Sequence, residues 1–229
     1  MRARTNPLLT LSKGPIPMTL YVDSADRPTA EALLATGLFQ GLTTNPLLLS
    51  RVGLTQESLP GLYRWAKDAG AQTVYMQTLG THVTEILDSA HALRKIGPDI
   101  IVKIPATRAG FEATKKLGLE GIPVLVTAVY HSTQALLARA AGAHSIAPYV
   151  GRMTDQGRDG LEQTITMAQM LAGSETSILA ASLRSADHVA SLAAQGVTDF
   201  TVSPQLLEEM LADTLTISAV DEFEAVAKR

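Results

Sequence analysis

From Thr19 onward the chain alternates short β-branched or apolar runs with longer stretches whose apolar positions recur at helical spacing. The short runs fall at residues 19–22, 41–44, 72–77, 100–104, 122–127, 145–148, 177–181 and 199–202. Helical periodicity begins near Pro28, whose fixed φ suits a first turn, and returns over 56–68, 81–95, 107–117, 131–141 and 157–171. It continues in a segment ending at Ala194 and in a tail over 215–228. Gly70 and the pair Gly97-Pro98 punctuate two of these helices. Runs such as Ile100-Ile101-Val102-Lys103-Ile104 are nearly continuous in apolar residues, as expected of strands covered on both faces. Alternation of this kind predicts a parallel sheet, and eight such units in one domain of this length predict a (β/α)8 barrel. An open dinucleotide-binding sheet would carry a glycine fingerprint after its first strand, where this chain has Asp23-Ser24-Ala25-Asp26.

Composition agrees with one well-packed domain spanning 18–229 and including the terminal helix. Hydrophobic residues make up 46% of the 229 and charged residues 18%. With 19 basic and 22 acidic residues there is no polycationic footprint, so nucleic acid is a poor partner. The absence of cysteine removes disulfides, thiolate metal sites and cysteine nucleophiles, and suits a cytoplasmic protein. No apolar run is long enough to span a bilayer, so no membrane partner is expected. Residues 1–17 carry Arg2, Arg4, Lys13 and three prolines without core periodicity. They read as a disordered, dispensable extension ahead of Met18, and Pro7-Leu8-Leu9 is too short for a signal-peptide core. Thr5-Asn6-Pro7-Leu8-Leu9 repeats Thr44-Asn45-Pro46-Leu47-Leu48, but only the second copy follows a strand.

Lys103 changes the picture from architecture to chemistry. A lysine is almost never buried unless paired or working, and desolvation lowers its pKa toward a neutral, nucleophilic amine. Such an amine attacks a ketone carbon and forms a Schiff base. The plainer reading is a strand-end lysine snorkelling to solvent or paired with Asp99.

The active site of a barrel lies at the carboxyl ends of its strands. Polar residues at those ends are Asp23, Thr43 with Asn45, Gln77, Lys103, Thr127, Tyr149 and Ser182, supplied by the first seven strands. Singly, each has a duller role: Asp23 as a helix cap, Asn45 shaping a turn, Thr127 as a β-former, Tyr149 as packing. Jointly they converge on one mouth. Arg152 after the sixth strand, and Ser182 with Arg184 after the seventh, are placed for a phosphate dianion. The histidines (82, 91, 131, 144 and 188) show no ligand spacing, so no metal is expected.

Leu20-Tyr21-Val22-Asp23, Gly41-Leu42-Thr43-Thr44-Asn45-Pro46, Ile101-Val102-Lys103-Ile104-Pro105, Thr127-Ala128-Val129-Tyr130, Ala147-Pro148-Tyr149-Val150-Gly151-Arg152 and Ala181-Ser182-Leu183-Arg184 together resemble the transaldolase family, in order, from Met18 to the C-terminus. The resemblance implies a class I aldolase or transaldolase barrel with Lys103 as Schiff-base lysine. It also implies no cofactor, since the iminium is the electron sink, and a homo-oligomer, pentamer or decamer, with the C-terminal helix reaching a neighbour. Gln77, where transaldolases carry Glu, and Tyr149, where they carry Phe, match the fructose-6-phosphate aldolase branch. That branch implies a water held by Gln77, Thr127 and Tyr149, with Tyr149 moving protons. Asp23, Thr43 and Asn45 would serve the donor, with Asp23 also helping Lys103 in catalysis, and Arg152, Ser182 and Arg184 would hold the phosphate of a glyceraldehyde 3-phosphate acceptor. Transaldolase itself is the alternative, and a catalytically silent sugar-phosphate-binding barrel a more distant one.

Overall fold

The computed structural model describes residues 18–228. The expectation for residues 1–17 therefore lies outside the described residues. Eight parallel strands close into a barrel in chain order. They are β1 (Thr19–Asp23), β2 (Gly41–Thr43), β3 (Thr73–Gln77), β4 (Ile101–Pro105), β5 (Val124–Val129), β6 (Ser145–Pro148), β7 (Ser177–Ala180) and β8 (Asp199–Val202). β8 pairs with β1 to close the ring, which is the predicted (β/α)8 architecture. Around it run α1 (Arg27–Leu34), α2 (Pro46–Arg51), α3 (Leu59–Asp68), α4 (Val83–Ile96), α5 (Arg108–Leu119) and α6 (Ser132–Ala141). The remaining helices are α7 (Val150–Asp155), α8 (Gly160–Leu171), α9 (Ala186–Ala194), α10 (Pro204–Leu211) and α11 (Thr214–Ala227).

The strands read as continuous apolar runs because two different cores meet on their two faces. Val22, Leu42, Met76, Val102, Val126 and Phe200 are fully buried in the layer between sheet and helices. Each contributes about 1.5–3 kcal/mol by leaving water. Tyr21, Tyr75, Leu125 and Leu179 fill the barrel interior instead. With Val102 and Ile104 committed to the outer layer, the two-residue period of a strand turns Lys103 inward. Lower in the barrel, the Tyr21 and Tyr75 rings meet edge to face at 5.3 Å, with Gly41 on the strand between them. A Cβ at Gly41 would sit 1.9 Å from the Thr73 carbonyl oxygen, so only glycine fits there.

Several boundaries differ from the sequence reading. β5 begins at Val124 because Pro123 has no N–H for the ladder, and it runs on to Val129 through a register shift. Within that shift Ala128 takes the left-handed conformation, φ 54°. The expected helix over 157–171 is α8, started at Gly160 by the Asp159 carboxylate, which accepts from the Glu162 N–H at 2.9 Å; α7 before it, ending near Gly157 (φ 77°), is not expected from the sequence. The hydrophobic pattern does not announce α2 or α10. Both open on a side-chain cap followed by proline, Asn45-Pro46 and Ser203-Pro204. α11 buries none of its residues: Leu215, Phe223 and Val226 are 79%, 70% and 70% exposed. Among the described residues no helix is long and apolar enough to cross a membrane.

Candidate active site

β4 carries Lys103 into the upper barrel, where it is 3% exposed. Its Nζ donates to the Thr44 carbonyl at 2.9 Å. Asp99, the partner that a plainer reading would assign it, is instead bonded to Tyr63 and to Lys67 at 2.8 Å. Burial pushes the Lys103 pKa down, and the nearby Asp23 carboxylate only partly opposes that. Among the described residues the amine thus has no carboxylate bonded to it and one hydrogen bond, to a neutral acceptor, holding it in place.

Asp23 ends β1 level with Thr43 on β2. The Thr43 hydroxyl donates to Asp23 Oδ1 at 2.7 Å and also bonds the Thr201 hydroxyl. A hydroxyl has one proton, so with Thr43's given to Asp23, Thr201 must donate to Thr43. The result is a directed chain, Thr201 to Thr43 to Asp23, that fixes the carboxylate from the side of β8.

On the other side of Lys103, the Thr127 hydroxyl donates to the Tyr149 hydroxyl oxygen at 3.1 Å. That leaves the phenolic proton of Tyr149 free to be given elsewhere. Burial raises the Tyr149 pKa, so the phenol is neutral near pH 7. Its ring packs on Tyr130 at 5.7 Å and under the Arg152 guanidinium at 5.0 Å. Gln77 is level with Lys103 on the adjacent strand and half-buried.

A cavity of about 210 Å3 opens at this end of the barrel. Asp23, Lys103, Tyr149 and Thr201 line it, as do Asn45, Ser182, Arg152 and Arg184. Asn45 serves both the turn and the site. Its Oδ1 caps α2, accepting from the Leu47 and Leu48 N–H groups at 3.0 and 3.1 Å, which leaves its amide NH2 as a donor. Ser182 is held at φ 57°, and its Oγ is buried without a partner among the described residues. Such strain and such an unmatched hydroxyl are features of ligand sites. Arg184 ion-pairs with Asp155 at 2.7 Å and lies against Gly151, where a Cβ would meet its Cγ at 2.6 Å. Of the ten residues picked from sequence, Gln77, Thr43 and Thr127 stand outside the lining, Thr43 behind Asp23 and Thr127 behind Tyr149.

The sequence reading missed Thr201, Ser203 and Arg51, which also line the cavity. Thr201 could have been found by carrying the inward period through Asp199-Phe200-Thr201. Phe200 packs outward, so Thr201 points in.

A sequence model of the family described as transaldolase/fructose-6-phosphate aldolase matches residues 20–229. The chain belongs to the transaldolase/fructose-6-phosphate aldolase family. Among its relatives is a probable transaldolase of Exiguobacterium sp., 33% identical over 91% of this chain and 96% of the relative. Another is a probable transaldolase of Caulobacter vibrioides, 35% identical over 90% of this chain and 94% of the relative. That of Nitrosopumilus maritimus is 32% identical over 90% and 93%. Among solved structures the barrel is similar to a mandelate oxidase, TM-score 0.58 at 16% identity, over 81% of this chain. This chain spans 64% of that protein, and the likeness is one of fold alone. As a member of the transaldolase family, the chain is an enzyme with its mouth at the carboxyl ends of the strands.

Proposed function

We propose that the protein is a Schiff-base aldolase of the fructose-6-phosphate aldolase type, cleaving a ketose 6-phosphate to dihydroxyacetone and glyceraldehyde 3-phosphate. The observation that carries this reading is the buried Lys103 amine, held by a neutral carbonyl, with a neutral tyrosine on the neighbouring side of the barrel. Lys103 Nζ attacks the ketone carbon, and the carbinolamine loses water to give an iminium. Tyr149 gives the hydroxyl its proton, and the departing water is held by Gln77 and Thr127. The Tyr149 phenolate left by that step then takes the C4 hydroxyl proton, and the C3–C4 bond breaks with its electron pair flowing to the iminium nitrogen. The aldehyde phosphate leaves, the enamine is protonated at C3, and hydrolysis frees the donor and Lys103. Asp23 and the Asn45 amide hold donor hydroxyls. Arg152, Ser182 and Arg184 hold the acceptor phosphate, for which the unpartnered Ser182 Oγ is a ready donor.

The test is borohydride trapping with dihydroxyacetone or fructose 6-phosphate, read by intact-protein mass. A donor-sized increment located on Lys103 supports the reading, and its absence from every lysine overturns it. A second reading, transaldolase, is favoured by the names of the relatives. In that case the enamine is passed to a second aldose. Rates of donor release with and without erythrose 4-phosphate separate the two.

The hydrogen-bond chain through β8 gives a sharper check. Thr201→Val removes the donor to Thr43 and loosens Asp23, lowering kcat about tenfold with little change in KM, as loss of one buried bond does. Thr201→Ser keeps most of the rate. Equal loss in both variants would mean that Thr201 acts by packing rather than by donation.

The exposed apolar face of α11 supports a homo-oligomer in which that helix covers a neighbour. Deleting residues 214–227 yields monomers by light scattering; an unchanged mass would remove α11 from the interface.

A further inference from the structure

A close backbone approach sets where the cationic side of the cavity stands. The Gly151 N–H donates to the Ser182 carbonyl at 2.7 Å, and a Cβ at Gly151 would sit 2.3 Å from that oxygen. The start of α7 is thereby pinned to the segment after β7, and Arg152 and the unpartnered Ser182 Oγ face the cavity from these two joined segments. Arg152 is half-buried and makes no ion pair among the described residues. Arg184 beside it is neutralised by Asp155 at 2.7 Å. The Arg152 guanidinium carbon lies 5.0 Å from the centre of the Tyr149 ring, so an unshared cation covers the face of the phenol that moves the proton.

A cation there favours the phenolate over the phenol, because it attracts a full negative charge more strongly than a neutral ring. The other groups facing Tyr149 leave that role to Arg152. Tyr130, after β5, packs its ring on Tyr149, and Thr127 on β5 gives it a neutral hydrogen bond. From β7 comes only the backbone bridge at Ala181, which carries no charge. Across the cavity, Asp23 on β1 opposes the phenolate, and Lys103 on β4 is driven toward its neutral form by burial.

We propose that Arg152 couples the substrate's phosphate to the proton on Tyr149: a phosphate dianion bound at Arg152 cancels the guanidinium's field on the phenol, and its departure restores that field. This deepens the Schiff-base reading and rests on it for the phosphate at Arg152 and for the proton work of Tyr149. The coupling times the two proton transfers. While the sugar phosphate is bound, the phenolate is the stronger base and takes the C4 hydroxyl proton as the C3–C4 bond breaks. Once the aldehyde phosphate has left, the phenol is the stronger acid and gives that proton to C3 of the enamine.

The test installs a fluorotyrosine at position 149 of the full chain and follows its ionisation by fluorine NMR, with inorganic phosphate as the probe. Saturating phosphate raises the midpoint by about one pH unit, a tenfold weaker acid, as cancelling a unit charge at this range does. Arg152→Gln without phosphate titrates near that raised midpoint and does not respond to phosphate. Arg152→Lys keeps the charge and part of the response. A midpoint that phosphate leaves unmoved in the parent chain, or one that Arg152→Gln leaves at the parent value, overturns the coupling. The first of these needs no arginine variant to fold. Borohydride trapping on the parent protein keeps the two readings apart. An adduct on Lys103 with no shift in the Tyr149 midpoint would retain the Schiff base and sink the coupling. A shift that depends on Arg152 and phosphate, without any trapped adduct, would do the reverse.

Discussion

Lys103→Met protein forms no reducible adduct with dihydroxyacetone, and its turnover falls roughly a thousandfold or more, as removal of a covalent nucleophile does. Its stability carries a second, independent signature. Unfolded, Lys103 titrates near the ordinary 10.5; folded, burial lowers its pKa. Between those two values the unfolded chain holds a proton that the folded chain does not, so stability rises with pH across that window. The lower the pH, the more of the cost of burying this amine the parent protein bears, so it bears more at pH 7 than near pH 10. The melting temperature of Lys103→Met minus that of the parent is larger at pH 7 than at pH 10. Loss of the bond to the Thr44 carbonyl lowers the variant at both values, and it cancels in the comparison because it does not titrate. Turnover of the parent rises with pH until Lys103 is neutral. A melting difference that does not vary with pH would place the lysine in solvent and remove the reason for its reactivity.

The same residue shows how far the sequence speaks. Val102 and Ile104 mark a two-sided strand, and a lysine between them is out of place unless it works. That inference needs only the two-residue period, as do the barrel and most of the site: strand interiors are strongly patterned, and strand ends inherit their direction. What was illegible comes from groups that sequence patterns do not encode. The acceptor for Lys103 is a backbone carbonyl, that of Thr44. Asp155, at the end of α7, reaches Arg184 only because the segments that follow β6 and β7 meet above the barrel. Arg51 ends a helix too short to show a period. Ala128 and Ser182 adopt left-handed conformations that nothing in a non-glycine sequence announces. Thr201 is the exception, a missed residue that the period would have found.

Tyr149→Phe lowers fructose 6-phosphate cleavage by about 100- to 1,000-fold, the range of a lost acid/base group, and Gln77→Glu in the same protein recovers part of it. In the proposed mechanism Gln77 orients the water of carbinolamine chemistry but cannot titrate it, so the neutral Tyr149 phenol handles the proton. Phe at this position keeps the ring between Tyr130 and Arg152 and removes only the hydroxyl that Thr127 contacts. A glutamate in place of Gln77 has nearly the same shape and sits level with Lys103 on a half-buried strand end. Partial desolvation moves its pKa up from the ordinary value of about 4.3 toward the working pH, so it becomes an acid and a base in place of a passive holder. In the parent background the single Gln77→Glu change supplies a second proton-transfer group beside Tyr149. Proton delivery to an incoming aldose then competes better with release of the donor. More sedoheptulose 7-phosphate forms from fructose 6-phosphate and erythrose 4-phosphate, relative to free dihydroxyacetone. The pH profile separates this from a packing effect, since a working carboxylate on β3 adds an acid limb that the glutamine protein lacks. If the double variant is no faster than Tyr149→Phe and shows no new limb, Gln77 and Tyr149 do not share the proton work, and the water is held elsewhere.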